Sequence, residues 1–143
     1  YHFYKILFST VLSSNGKFGV NLSTNSGTSY TPADGSWRTS VQGREATSHW
    51  NIGEACDWGQ LLAGNNKEYY AGEIKFNHPT GTTLFPNFNS DFGFAQDEAG
   101  NGGYYGAAVS TTVFDTVGAY NAIRLETNQT IVDLKWSFLA MAV

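Results

Sequence analysis

Apolar side chains recur at every second position along this chain, and nowhere at helical spacing over a helical length. In FGVNL (18–22), Phe18, Val20 and Leu22 share one face while Gly19 and Asn21 take the other. GEIKF (72–76) sends Ile74 and Phe76 inward, and NAIRLET (121–127) sets Ile123 and Leu125 against Arg124 and Glu126. AAVSTTVF (107–114) puts Ala107, Val109, Thr111 and Val113 on one side. A period of two belongs to strands that lay one face on a core. Turn signals separate the runs. Asn15-Gly16, whose residues tolerate positive φ, predicts a hairpin between KILFSTVL and KFGVNL. TNSGTSY (24–30) turns again, and His78-Pro79-Thr80-Gly81 ends the GEIKF run. One helical turn within Ala55 to Leu62 is the most helix the pattern allows. The pattern predicts an all-β, antiparallel β-sandwich of jelly-roll type, a single domain over residues 1–143.

Composition narrows the function classes. Twelve acidic against eight basic side chains give a net charge of -4, and no Lys/Arg cluster is present to neutralise a phosphate backbone. Nucleic acid is therefore not an expected partner. No apolar run reaches the roughly 20 residues a membrane helix needs, so no membrane insertion is expected. Cys56 is the single cysteine, which excludes an internal disulfide. The chain opens on Tyr1 in a strand-like segment, as expected of the C-terminal part of a longer polypeptide.

The closing segment, NQTIVDLKWSFLAMAV (128–143), is unusual. Val132, Leu134, Trp136 and Phe138 form an even-numbered stripe suited to the core. The odd face begins with Asp133, Lys135 and Ser137, then turns apolar at Leu139, Met141 and Val143. A strand apolar on both faces needs cover on both. A loop of the same chain is one cover; a sister subunit about a symmetry axis is the more economical one. Leu139, Met141 and Val143 are thus the expected subunit interface of a homo-oligomer.

Recognition residues are sought among the aromatics. Three of the four tryptophans, Trp37, Trp50 and Trp58, fall in a Gly- and polar-rich stretch with Asp57, Gln60, Asn65, Asn66, Tyr69 and Tyr70. Flat rings stack on the C–H faces of sugars while short polar groups fix the hydroxyls, so a glycan site would need such a mixture. Alternation of Ser48, Trp50 and Ile52 assigns Trp50 to the core, which leaves Trp37 and Trp58 as the surface candidates. Trp136 belongs to the core stripe. FNSDFGFAQDEAGNGGYYG (88–106) reads as a long exposed loop carrying Tyr104 and Tyr105. The expected glycan-binding set is Trp37, Trp58, Asp57, Tyr69, Tyr70, Tyr104 and Tyr105.

Signals for chemistry are poor. Asp97, Glu98 and Asn101 do not have EF-hand spacing. His49 with Glu54, Cys56 and Asp57 follows no zinc-ligand rule. No Gly-x-Ser-x-Gly nucleophile elbow is present. No catalytic residue, cofactor or metal is expected, and the chain is read as a non-enzyme.

Four stretches, YHFYKILFSTVLSSNG (1–16), NLSTNSGTSYT (21–31), GEIKFNHP (72–79) and YNAIRLETNQTIVDLKWSFLAMAV (120–143), together resemble a C-terminal domain of tail-fibre and other virion proteins of tailed bacteriophages. The middle, residues 31–70, has no counterpart in that family. The chain departs from it at Phe138, Leu139 and Ala140, where the family closes on Leu-Tyr-Gly, and at Asn128, where it tends to carry Gly. The resemblance implies a β-sandwich head at a fibre tip or virion surface, trimeric, extracellular, and binding a host-surface glycan or protein. Two other functions fit the residues: a secreted carbohydrate-binding module of a larger enzyme, and a purely architectural capsid-decoration or filament protein.

Overall fold

The computed structural model describes residues 2–30, 37–45, 48–56, 59–61, 67–77, 86–96, 104–114 and 118–142. They form ten strands: β1 (His2–Gly16), β2 (Phe18–Ser23), β3 (Trp37–Glu45), β4 (Ser48–Cys56), β5 (Gly59–Gln60), β6 (Lys67–Asn77), β7 (Asn87–Gln96), β8 (Tyr104–Phe114), β9 (Ala122–Thr127) and β10 (Ile131–Ala142). Among the described residues there is no helix, including those between Ala55 and Leu62. Seven strands build the larger sheet in the order β10-β1-β6-β7-β8-β3-β4, and three build the smaller one, β5-β2-β9. Every pairing is antiparallel. The chain is the all-β sandwich its alternation predicts.

Pairing is nested: β1 with β10, β2 with β9, β3 with β8. This is the wrapped ribbon of a jelly-roll-like sandwich, with β6 and β7 let into the larger sheet between β1 and β8. The ribbon passes from one sheet to the other at a corner, where the β1–β10 register shifts at Val11/Leu12. There Ser13 N–H donates to the Thr130 carbonyl at 2.9 Å, and Lys17 N–H to Asn128 Oδ1 at 2.8 Å.

Asn15-Gly16 is part of this corner and makes no hairpin, because β1 and β2 belong to different sheets. Gly16 serves close approach and not positive φ. A Cβ on it would lie 2.4 Å from Gln129 Cγ, and its carbonyl accepts the Tyr70 hydroxyl at 2.7 Å. The turn at 24–30 does use left-handed backbone, with φ of 58° at Ser26 and 85° at Gly27.

Between the sheets lies an aromatic core. Phe18 of the smaller sheet sits 5.1 Å from Phe8 and 5.8 Å from Tyr70, ring centre to ring centre. Trp37 packs 4.8 Å from Phe114 and 5.8 Å from Phe88. Offset and tilted rings at such distances add about 0.5–1.5 kcal/mol per pair beyond burial alone. Inward positions are even-numbered on β1, β6, β7 and β8 and odd-numbered on β3, as the buried Ile6, Phe8, Ile74, Phe76, Phe88, Phe92, Val41 and Phe114 record.

Three strands cannot cover seven. At about 4.8 Å per strand the smaller sheet is roughly 14 Å across and the larger roughly 34 Å. β2, in the middle of the smaller sheet, is buried at all six positions. β10, at the outer edge of the larger one, is not. From Leu134 to Phe138 the even-numbered stripe expected in the core lies on the inward face, yet Trp136, at 59% exposure, and Phe138 are open to solvent, as is Val132 at the register shift. Trp136 is therefore not a core residue of the single chain. Of that stripe, Leu134 packs against the core and Phe138 reaches the rings of Tyr4 and Phe76, at 5.5 and 6.2 Å between centres.

Candidate functional site

Strand register assembles the outer face of the larger sheet row by row. Tyr69 of β6 lies opposite Ala95 of β7, and Ala95 opposite Tyr105 of β8. The next outward row is Ala71, Gly93 and Ala107, and the one after it Glu73, Asp91 and Val109. Lys75, Asn89 and Thr111 complete the series. Tyr69 is 40% exposed and Tyr105 67%. With one strand between them, their backbones stand roughly 10 Å apart. The result is a trough along β7, flanked by two rings at one end and floored by Ala95 and Gly93.

Toward the other end the trough opens into a groove of about 420 Å³ lined by Ser40, Gln42, Lys75, Asn89, Asp91 and Thr111. A second groove of about 280 Å³, lined by Gln42, Arg44, Asp91, Ala107 and Val109, adjoins it and shares Asp91. Thr111 Oγ1 donates to Asn89 Oδ1 at 3.0 Å, which turns the Asn89 amide N–H groups outward as donors. Glu73 is engaged by Lys5 at 2.7 Å and by Lys75, and these two ammonium groups hold its carboxyl below the usual range. Among the described residues of the trough, Lys5 and Lys75 thus offset Glu73 and Asp91.

The expected residues are distributed by strand parity. Tyr69 and Tyr105 share the outer face. Tyr70 follows Tyr69 and must point the other way; it is buried, donates to the Gly16 carbonyl and accepts from Lys67 N–H. Burial pushes its phenol up from the ordinary value. Tyr70 is therefore a core residue and not a ligand contact. Trp37 is corrected likewise: at 0% exposure, between Phe88 and Phe114, it has no face for a sugar. Odd positions of β3 face inward, and the preceding turn-like sequence does not alter that parity.

Tyr105 stands on a strand and not on a loop, since β8 begins at Tyr104 and β7 runs to Gln96. Asp57 and Trp58, like Asp97, Glu98 and Asn101, lie outside the described residues, as do the side chains of Trp50 and Tyr104. Sequence reasoning did not select Ala71, Asn89, Asp91, Gly93, Ala95 or Gln42. The signal was present for β7: Phe88, Phe92 and Phe94 alternate, so Asn89, Asp91, Gly93 and Ala95 must face the opposite way.

The second surface is β10 itself. One side of it pairs with β1; among the described residues nothing pairs with the other. Leu139, of the expected interface, is exposed on the outward face, Trp136 and Phe138 on the inward one, and Val132 at the register shift. Met141 has its backbone in the strand, while its side chain and all of Val143 lie outside the described residues. Asp133 and Lys135, 3.5 Å apart, guard the first half of the strand with charge, but from Trp136 to Ala142 there is none. Exposed sheet edges are ordinarily blunted by charge, proline or cover. Beside the edge, Phe138, Tyr4, Phe76, Tyr120 and Ile123 line an apolar groove of about 200 Å³.

Among the described residues, no group of three His, Cys, Asp or Glu side chains converges as a metal site. Nor is any helix among them long and apolar enough to cross a membrane. The chain matches no protein-family model, no curated protein and no solved structure.

Proposed function

We propose that this chain is the non-enzymatic head domain of a virion surface protein, of the phage tail-fibre kind. It assembles as a homotrimer through β10 and presents the outer face of its larger sheet to a host-surface glycan. The observation that carries this reading is β10: a twelve-residue edge strand with Trp136, Phe138, Val132 and Leu139 all exposed. An uncovered edge strand whose second half is apolar is an aggregation hazard unless a partner closes it. A sister copy is the partner always at hand. The β10 stripe runs into the groove that Phe138 lines with Tyr4, Phe76 and Ile123, one continuous apolar patch that copies set about a symmetry axis would bring together.

Native mass spectrometry of the chain tests this. A trimer that falls to a folded monomer in Trp136→Glu is expected; a monomeric wild type at high concentration would overturn it. A second reading draws on the same indole. As the aromatic platform of a monomeric carbohydrate-binding module, Trp136 would bind sugar directly, and Trp136→Ala would abolish glycan binding without changing the mass.

A further inference from the structure

We propose that the trough along β7 seats an uncharged oligosaccharide laid parallel to the strand. Tyr69 and Tyr105 grip one end by stacking; Asp91, Asn89 and Gln42 take hydroxyls at the other. This rests on the glycan-receptor reading above and gives it a place, a direction and a ligand class.

The occupant follows from what this face offers. β7 is paired on both sides, with β6 and β8, so no backbone donors or acceptors remain for an added peptide strand. Recognition here must use side chains and ring faces alone. The apolar contribution is two separate phenols over a floor of Ala71, Gly93, Ala95 and Ala107, too thin for the buried anchor cluster that protein partners need. A sugar needs only a ring face for its C–H side and short polar groups for its hydroxyls. Asp91 supplies acceptors, Asn89 donors, and Gln42 both.

Charge excludes the other common class of glycan. Glu73 and Asp91 offset Lys5 and Lys75, and Arg44 on the margin of the adjoining groove is a single cation. That is no seat for a polyanion. Length follows from the strand: Ala95 to Asn89 spans six residues, roughly 20 Å at the rise of a strand, so several sugar units lie between the tyrosines and Asn89.

Gly93 provides a clean test. A Cβ added there meets nothing closer than 3.7 Å, so a side chain is admissible, and it projects into the trough. Gly93→Val suits a strand and should leave the melting temperature unchanged or higher. Isothermal titration of the whole chain with cellohexaose, maltohexaose and a mannohexaose, and with hexagalacturonate as the anionic probe, reads the affinity. The expected result is binding of a neutral hexaose, weakened about tenfold or more by Gly93→Val and by Tyr69→Ala with Tyr105→Ala, while the oligomeric mass is unchanged. Undiminished binding in both variants would overturn the trough and leave glycan recognition standing elsewhere. Preference for hexagalacturonate would overturn the ligand class. A glycan array on which the wild type binds nothing would overturn this proposal together with the receptor reading beneath it.

Discussion

β2 and β10 invert one another. The first carries Gly19, Asn21 and Ser23 on its second face and is buried throughout. The second carries Trp136, Phe138 and Leu139 and is open on both faces. What a strand buries is thus decided by its place in the stack, central or edge, as much as by its own hydrophobicity. β2 tolerates burial because its polar groups are satisfied: Asn21 donates to Glu126 Oε2 at 2.9 Å, and Ser23 Oγ accepts from the Asn25 and Gly27 N–H groups. β10 has the composition of an inner strand and the position of an outer one. A single copy leaves that mismatch unresolved, and the proposed ring of copies would resolve it.

The two tryptophans make the contrast measurable. Trp37→Ala empties the centre of the core and should cost about 3–5 kcal/mol, a drop of roughly 10–15 °C in melting temperature for a domain of this size. An unchanged melting curve would mean that Trp37 is not where the packing places it. Trp136→Glu should do the reverse: little loss in the stability of the isolated subunit, but a weakening of assembly by about 30-fold or more, read by sedimentation.

Alkali probes the covered side. Tyr70 has its folded pKa raised by burial above the ordinary 10.0. A raised acid keeps its full contribution below the unfolded value and loses it above, so stability should fall by about 1.4 kcal/mol per pH unit beyond pH 10. Denaturant titrations of Tyr70→Phe should show a shallower limb, with the part due to buried Tyr120 remaining. The smallest effect belongs to β2. Asn21→Ala removes the bond to Glu126 and should cost about 1–2 kcal/mol by chemical denaturation, since Glu126 keeps Arg124 at 2.8 Å.

Alternation made the strands legible, and with them the all-β sandwich and much of the core: Phe18, Val20, Leu22, Ile74 and Phe76 face inward as their spacing requires. Strand order was not legible, because it is set by pairings such as Phe8 with Trp136, more than a hundred residues apart. That is why Trp136 reads as core from its own segment and proves exposed. The same ignorance of order turned Asn15-Gly16 into a hairpin, when the glycine is needed for the approach of Gln129 at a corner. Of the adjacent Tyr69 and Tyr70, period two dictates that only one can face outward, but which one depends on where the sheet lies. Exposure of Leu139 follows the alternation of its own strand, whereas Tyr105 reads as a loop residue and is exposed from a strand. The floor of small residues between the tyrosines arises from three strands at once and has no signature in any of them.

Sedimentation equilibrium of the wild-type chain over a wide concentration range tests most directly whether like strands seal each other. A mass three times that of the chain, persisting to low micromolar concentration and lost in Trp136→Glu, is expected. A single subunit's mass at every concentration, with the indole of Trp136 still quenched freely by iodide, would contradict it.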